Sequence, residues 1–148
     1  MMKNLFYLAI LSLLFTSCEK HDFYLEGQVR TLSPQEITNH SATLHGNLKI
    51  TFEGKDTDLK IIERGFVLTS TGSQDRKIYD NVSVRGNFSR MVANLIPNTK
   101  YQVQAFVTME YNYDYWSGYM GGYRSKQQTF YGSTIEFTTK NEPVDADL

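Results

Sequence analysis

Residues 41–51 read Ser-Ala-Thr-Leu-His-Gly-Asn-Leu-Lys-Ile-Thr, a stretch in which two classes of side chain alternate. One class is small or apolar and comprises Ala42, Leu44, Gly46, Leu48 and Ile50. The residues between them are polar, and His45 is one of these. A period of two residues is typical of a strand that buries one face and leaves the other in water. The stretch therefore predicts a half-buried strand of an antiparallel sheet, with His45 on the solvent face.

The same period recurs on both sides of this stretch, and no helical period follows residue 20. Further strands are predicted at residues 28–32, 60–69, 77–84, 87–94, 100–109 and 130–139. Turn residues such as Gly, Asp, Asn and Ser separate them. Seven short strands over roughly 110 residues predict an all-β fold, an immunoglobulin-like sandwich of two sheets. The predicted core consists of Leu44, Leu48, Phe66, Leu68, Phe88, Val92, Leu95, Tyr101, Val103, Ala105, Val107, Ile135 and Phe137.

The segment from Leu95 to Tyr101 lies between two of these strands and contains Pro97. Proline fixes its own φ and restricts the residue before it, so the preceding strand should end there. Tyr101 opens the next strand, which is where a tyrosine corner lies in sandwich folds. A plain turn followed by a core tyrosine has the same spacing, so the sequence is compatible with both structures.

Residues from about 29 to 139 resemble fibronectin type III-like modules of bacterial surface lipoproteins. The segments that carry the resemblance are Ser41-Ala42-Thr43-Leu44-His45-Gly46, Glu63-Arg64-Gly65-Phe66, Leu95-x-Pro97-x-Thr99-x-Tyr101-x-Val103-x-Ala105, Tyr131-Gly132 and Ile135-Glu136-Phe137-Thr138-Thr139. The resemblance implies that Pro97 and Tyr101 form the structural corner and that Thr138-Thr139 closes the last strand. A bulge at Gly65 is one explanation for the Arg64-Gly65 pair.

The N-terminus has the layout of a secretory signal peptide: Lys3 is followed by an apolar run over residues 5–15, interrupted at Ser12. Eleven residues are too few for a membrane-spanning helix, which needs about 20. Phe15-Thr16-Ser17-Cys18 resembles a bacterial lipobox, and Cys18 is the chain's one cysteine. The resemblance implies cleavage before Cys18 and a lipid on its thiol. The alternative is a small buried cysteine after an ordinary N-terminal helix.

These assignments predict four segments: a lipoprotein signal peptide (1–17), a tether from the lipidated cysteine (18–27), the sandwich (28–139) and an acidic flexible tail (140–148). The predicted location is the outer membrane, at the cell surface or on the periplasmic face. The membrane contact is the lipid anchor at Cys18. Glu19 and Asp22, close to that cysteine, favour the cell surface.

Residues 110–129 form an aromatic segment between the last two predicted strands. Its aromatic residues are Tyr111, Tyr113, Tyr115, Trp116, Tyr119 and Tyr123. Loops rich in Tyr, Ser, Gly and Asn resemble the binding loops of antibodies, in which rigid aromatic rings supply contact area. The alternative is an extended hairpin, with residues 118–122 at its tip and tyrosines paired across it. A rigid hairpin can also present a binding face.

Composition and spacing argue against several functional classes. The net charge of −1, with no basic cluster, predicts no binding of nucleic acid. His21, His40 and His45 are scattered, so neither a catalytic triad nor a metal site is predicted, and no cofactor is expected. Asp56 and Asp58 lack further acidic ligands for calcium and indicate a polar turn. The predicted chain is not an enzyme.

The predicted function is a lipid-anchored binding or adhesion module of the cell envelope. Its Tyr/Trp-rich segment would contact a glycan or a protein. The alternative is a structural or accessory subunit of an outer-membrane or surface assembly, in which the hairpin adds to a neighbour's sheet.

Overall fold

The computed structural model describes residues 24–53, 59–80, 84–117 and 120–143; for residues 24, 52–53, 113–117, 120–121 and 123 it describes the backbone alone. Within these ranges the chain forms strands and no helix. The strands are β1 (Tyr24–Gln35), β2 (Ala42–Glu53), β3 (Leu59–Ser70), β4 (Arg76–Tyr79), β5 (Gly86–Val92), β6 (Lys100–Ser117) and β7 (Met120–Thr138). The described residues thus include no helix long and apolar enough to cross a membrane.

The strands make two antiparallel sheets, one in the order β1-β2-β5 and the other in the order β4-β3-β6-β7. The sheets face each other across a core of buried apolar side chains. The predicted all-β, immunoglobulin-like sandwich with an extended hairpin between its last two strands is confirmed. Alternation on β2 supplies one wall of the core, because Ala42, Leu44 and Leu48 are buried while Lys49 and Thr51 are exposed.

The predicted core is correct except at Ile135, which is half-buried and packs against the core from its edge. Ala42, Ile61, Met109 and Tyr111 are further buried members. Phe106 is fully buried as well, although it lies between the inward-facing Ala105 and Val107. A strand residue between two inward-facing neighbours faces outward, so the outer side of the sheet must cover Phe106.

Several boundaries differ from the predicted ones. β1 begins at Tyr24, inside the predicted tether, because residues 24–27 continue the ladder opposite residues 50–53 of β2. β4 ends at Tyr79, and the next residue, Asp80, leaves the sheet, whereas the predicted strand continued to residue 84. The first tail residues are attached to the sandwich, since the Lys140 amide donates to the Thr38 carbonyl.

Gly65 is not a bulge. The shift in register between β3 and β6 lies between Ile61 and Glu63, and Gly65 pairs regularly with Phe106 and Tyr79. A Cβ at position 65 would lie 2.1 Å from the carbonyl oxygen of Ile78 in β4. Close approach of two backbones therefore explains why glycine precedes Phe66.

A polar contact joins the two sheets in the core. Gln104 pairs with Thr134 and Phe106 with Tyr131, so β7 carries one extra residue at this level. The Ala105 amide opposite this irregularity donates to the buried hydroxyl of Thr31 in β1, at 3.0 Å. The side chain of one sheet thereby satisfies a backbone group of the other, as buried amides require.

Tyr101 makes the contact that defines a tyrosine corner. Its ring is buried and stacks on Phe137, with 5.5 Å between ring centroids. Its hydroxyl accepts a hydrogen bond from the Ile96 amide, five residues upstream, at 2.9 Å. The hydroxyl therefore fastens the segment around Pro97 to the start of β6.

Replacing Tyr101 with phenylalanine should lower the free energy of unfolding by about 1–2 kcal/mol, because the Ile96 amide loses its acceptor while the ring stays in place. Urea unfolding of the chain measures this difference. Tyr131→Phe is the matched control, since its ring is 54% exposed. Equal stabilities of the two variants would contradict a role for the Tyr101 hydroxyl.

Candidate functional site

The aromatic segment is an extension of the last two strands. β6 and β7 pair without interruption from Tyr111↔Lys126 to Ser117↔Met120. Among the described residues, the last pairing between β3 and β6 is Leu59↔Tyr111. In the described pairings, residues 112–117 therefore have β7 as their strand partner. Six residues at about 3.3 Å each make an arm of roughly 20 Å beyond the end of that ladder.

The register of this arm corrects one expectation about its tyrosines. Tyr113 stands opposite Arg124 and Tyr123 opposite Asp114, so the tyrosines do not face one another directly. Tyr115 and Trp116 stand opposite Gly122 and Gly121. The arm also continues to Met120, which leaves a shorter tip than residues 118–122. Glycine opposite the two largest positions keeps the facing strand free of side chains there.

The predicted contact residues fall into three groups. Tyr111 is buried, with 5% of its surface exposed, and so belongs to the base of the arm rather than to an exposed face. Tyr113, Tyr115 and Trp116 stand in β6 and Tyr123 stands in β7. Tyr119 and the predicted lipidation site Cys18 lie outside the described residues. Arg124 and Lys126 are exposed on β7, close to the base of the arm.

Sequence reasoning missed a second aromatic group, on the outer face of the four-stranded sheet. The Phe106 ring lies between Tyr79, at 6.0 Å and edge-on, and Tyr131, at 6.4 Å between ring centroids. The Lys77 ammonium lies 5.4 Å from the same ring. Tyr79 is 45% exposed and stands opposite Gly65. The three rings therefore form a row across the outer face of the sheet at the level of Gly65. The sequence signal for this group is Phe106, an aromatic residue that alternation places on the outer face of the sheet, between the buried Ala105 and Val107.

A buried ion pair lies where the edges of the two sheets meet. Arg64 in β3 is 3% exposed, and its Nη2 donates to Oδ2 of Asp80 at 2.5 Å. Its Nη1 donates to the Val84 carbonyl, and its guanidinium lies 4.6 Å from the centre of the Phe88 ring. A cleft of about 370 Å³ adjoins this pair. Arg64 thus holds the segment that follows β4 against β5.

His45 borders the same cleft, and its surroundings correct the expectation of a solvated side chain. The residue is half-buried, and its Nε2 is buried without a hydrogen-bond partner among the described residues. His40 is exposed: its Nε2 lies 2.9 Å from a Glu142 carboxylate oxygen, and its Nδ1 lies 3.0 Å from the Leu95 carbonyl. The described ranges contain no cluster of three metal-ligating side chains. His21, Asp56 and Asp58 lie outside those ranges.

Glu136 lies at the end of the sandwich away from the arm. Hydrogen bonds from Lys100 and Gln102 hold the pKa of Glu136 below its usual value. The Lys100 ammonium is 2.6 Å from a carboxylate oxygen of Glu136, and both side chains are exposed. This carboxylate is therefore ionised at neutral pH and accepts hydrogen bonds on the surface.

Fold and surface together define a β-sandwich domain of immunoglobulin-like architecture that carries an aromatic hairpin. No protein-family model matches the chain, and no curated protein matches it.

Among solved structures, the chain is similar to a short form of the sensor domain of the anti-sigma factor RsgI4 in Pseudobacteroides cellulosolvens. That likeness has a TM-score of 0.46 and 17% sequence identity, covering 78% of this chain and 96% of that one. The solution structure of the same sensor domain gives a TM-score of 0.39 and 18% identity, covering 83% and 95%. Likeness at these levels extends no inference to function.

Proposed function

We propose that this chain is a lipid-anchored, non-catalytic binding or adhesion module of the cell envelope. The hairpin is its contact surface, and a glycan or a protein is its partner. The observation that supports the proposal most directly is the extension of β6 and β7 past the last paired residue of β3. An arm that extends beyond a neighbouring strand adds little to the core of its own domain. Contact with another molecule is the function that such an arm favours.

The residue types of the arm suit such contact. Tyrosine and tryptophan offer large rigid surfaces that lose little conformational entropy on binding, and their rings stack on sugars or on protein side chains. Gly121 and Gly122 stand opposite Trp116 and Tyr115, so the facing strand carries no side chain at these two positions. A two-stranded ladder holds these positions at a fixed spacing, which lowers the ordering cost of binding.

The anchored state rests on Cys18, in a segment that resembles a lipobox. Each buried methylene of a lipid contributes about 0.8 kcal/mol, and stable attachment takes more than one acyl chain. The proposed location is the outer membrane, at the cell surface or on its periplasmic face. Mass spectrometry of the chain purified from membranes tests the lipid on Cys18 directly.

Changing Tyr113, Tyr115 and Trp116 together to serine should weaken partner binding at least about tenfold, because aromatic anchors dominate interface energies. Pull-down from native membranes and binding to glycan arrays measure the loss. The matched control is Tyr79→Ser with Tyr131→Ser, which removes exposed aromatic rings from the sheet face instead. Unchanged binding by the hairpin variant, with loss in the control, would place the contact on the outer sheet face and contradict the proposal.

A second candidate function is an accessory subunit of a membrane or surface assembly. β7 is an edge strand of the four-stranded sheet, and an edge strand can accept a strand from a neighbour. Because β1 packs against β7 near Gly132, the arm is the part of this edge proposed for strand addition. This function predicts one stoichiometric protein that co-purifies with the chain and is lost when residues 112–125 are deleted. Retention of that protein by the deletion variant would exclude strand addition at the arm.

A further inference from the structure

The arm and the predicted lipid anchor lie at the same end of the sandwich. A Cβ added to Gly27 of β1 would lie 2.8 Å from the Met109 side chain and 2.9 Å from the Phe130 ring. A Cβ added to Gly132 of β7 would meet Thr31 of β1 at 2.5 Å. These contacts occur in the same order along both strands, so β1 and β7 run in the same direction. The first residue of β1 and the first residue of β7 therefore lie toward the same end.

The antiparallel pairings lead to the same conclusion independently. Tyr24 pairs with Glu53 at the end of β2, and Leu59 at the start of β3 pairs with Tyr111. The start of β1, the end of β2, the start of β3 and the arm therefore lie at one end of the sandwich. Lys140 follows β7 at the other end, where its amide bonds to Thr38 and its carbonyl to the Asn98 amide.

The lengths of the tether and of the arm place the lipid and the end of the arm at similar distances from the sandwich. Cys18 precedes Gly27 by nine residues, which span at most about 30 Å when fully extended. Met109 lies beside Gly27, and the eight residues from Met109 to Ser117 extend roughly 26 Å as a strand. The tether is thus too short to hold the arm far from the surface in which a lipid on Cys18 is embedded.

We infer that the hairpin is directed at the membrane that carries the anchor and that the far end of its described ladder, at Ser117↔Met120, reaches the layer of lipid headgroups. The inference rests on the proposed lipidation of Cys18, and it names phospholipid headgroups as the first component that the arm contacts. Tryptophan and tyrosine are enriched at membrane interfaces, where an apolar ring with a polar edge is stable. The arm, residues 112–125, carries one acid, Asp114, and one base, Arg124, so its net charge is zero and its aromatic residues supply the affinity for the headgroup layer.

This orientation restricts the partner in the proposed function. A glycan or protein that binds the arm must be met at the membrane surface, as part of a membrane component. The aromatic row of Tyr79, Phe106 and Tyr131 crosses the outer face of the four-stranded sheet on β4, β6 and β7, on the part of β6 and β7 that lies within the sandwich rather than in the arm. Lipid contact by the arm would also fix the tilt of the domain, because the anchor and the arm are two separate points of attachment.

Trp116 is the chain's one tryptophan and so reports on the arm directly. The full-length processed chain is reconstituted into vesicles of phosphatidylethanolamine and phosphatidylglycerol, with or without phospholipids brominated in the upper part of the acyl chains. Trp116 emission should be quenched at least about twofold by the brominated lipids and shifted to shorter wavelength, as expected for an interfacial ring. The inference would be overturned if brominated lipids left Trp116 emission unchanged while aqueous iodide quenched it fully.

The control moves the reporter to the opposite end of the sandwich, in a Trp116→Phe, Ile96→Trp variant. Ile96 is exposed next to Pro97, so the new ring should not be quenched; quenching there would overturn the orientation. Mass spectrometry of the same samples separates two failures. A chain without lipid on Cys18 overturns the anchor and the inference together. A lipidated chain with unquenched Trp116 that still pulls down a glycan or a protein overturns the inference alone.

Discussion

Replacing Asp80 with alanine should lower the free energy of unfolding by about 3–5 kcal/mol, because it leaves a buried guanidinium without its carboxylate. Arg64 is 3% exposed, whereas Asp80 is 10% exposed at the rim of the cleft. The remaining contacts of Arg64 are the neutral Val84 carbonyl and the face of the Phe88 ring. Neither compensates a full positive charge removed from water. Urea unfolding, followed by circular dichroism, measures the loss.

The matched comparison for Asp80→Ala is the double variant Arg64→Leu with Asp80→Ala. Removing both charges leaves an apolar side chain against Phe88, and a buried ion pair exchanged for apolar groups is often neutral in stability. The double variant should therefore recover most of the stability lost by Asp80→Ala. A loss below about 1 kcal/mol for Asp80→Ala alone would show that Arg64 reaches solvent, contrary to the buried pair.

The sheets could be predicted because alternation assigns each residue of a strand to a face without reference to any neighbour. Leu44 and Val103 were placed correctly in this way. Alternation does not say what lies across the sheet or beside it. Arg64 is in phase with Phe66 and Leu68 and is buried as that phase requires, yet its partner Asp80 comes from a segment sixteen residues away. His45 is placed on the solvent face by the same alternation, yet it is half-buried and borders the cleft that Arg64 also borders.

The hairpin was foreseen as one of two alternatives, because Tyr111, Tyr113 and Tyr115 continue the period of β6. Its register was not foreseen, since a shift of one residue at the tip changes every cross-strand pair. By contrast, the end of the sandwich from which the arm extends, relative to the anchor, depends only on the number of strands between them. Seven consecutive strands that alternate in direction bring the end of β6 and the start of β7 to the end of the sandwich at which β1 begins.

Replacing Gly65 with alanine should lower the free energy of unfolding by about 3 kcal/mol, at the upper end of the usual cost of overpacking. The new methyl group would lie 2.1 Å from the Ile78 carbonyl oxygen and 3.0 Å from the Tyr79 Cα, so β4 must move as backbone. Gly122→Ala in the arm is the matched control. Its Cβ would meet nothing within 4 Å, so its stability should stay equal or rise slightly.

Displacement of β4 by Gly65→Ala should act on the ion pair as well, because Asp80 follows β4 directly and its amide donates to the Arg64 carbonyl at 2.8 Å. The two changes should therefore be non-additive: Gly65→Ala should cost less in the variant with Arg64→Leu and Asp80→Ala than in the unaltered chain. Full additivity would mean that β4 shifts without moving Asp80. Coupling would show that Arg64 and Gly65 serve one purpose, which is to fasten the short β4 and the segment after it to the edge of the sandwich.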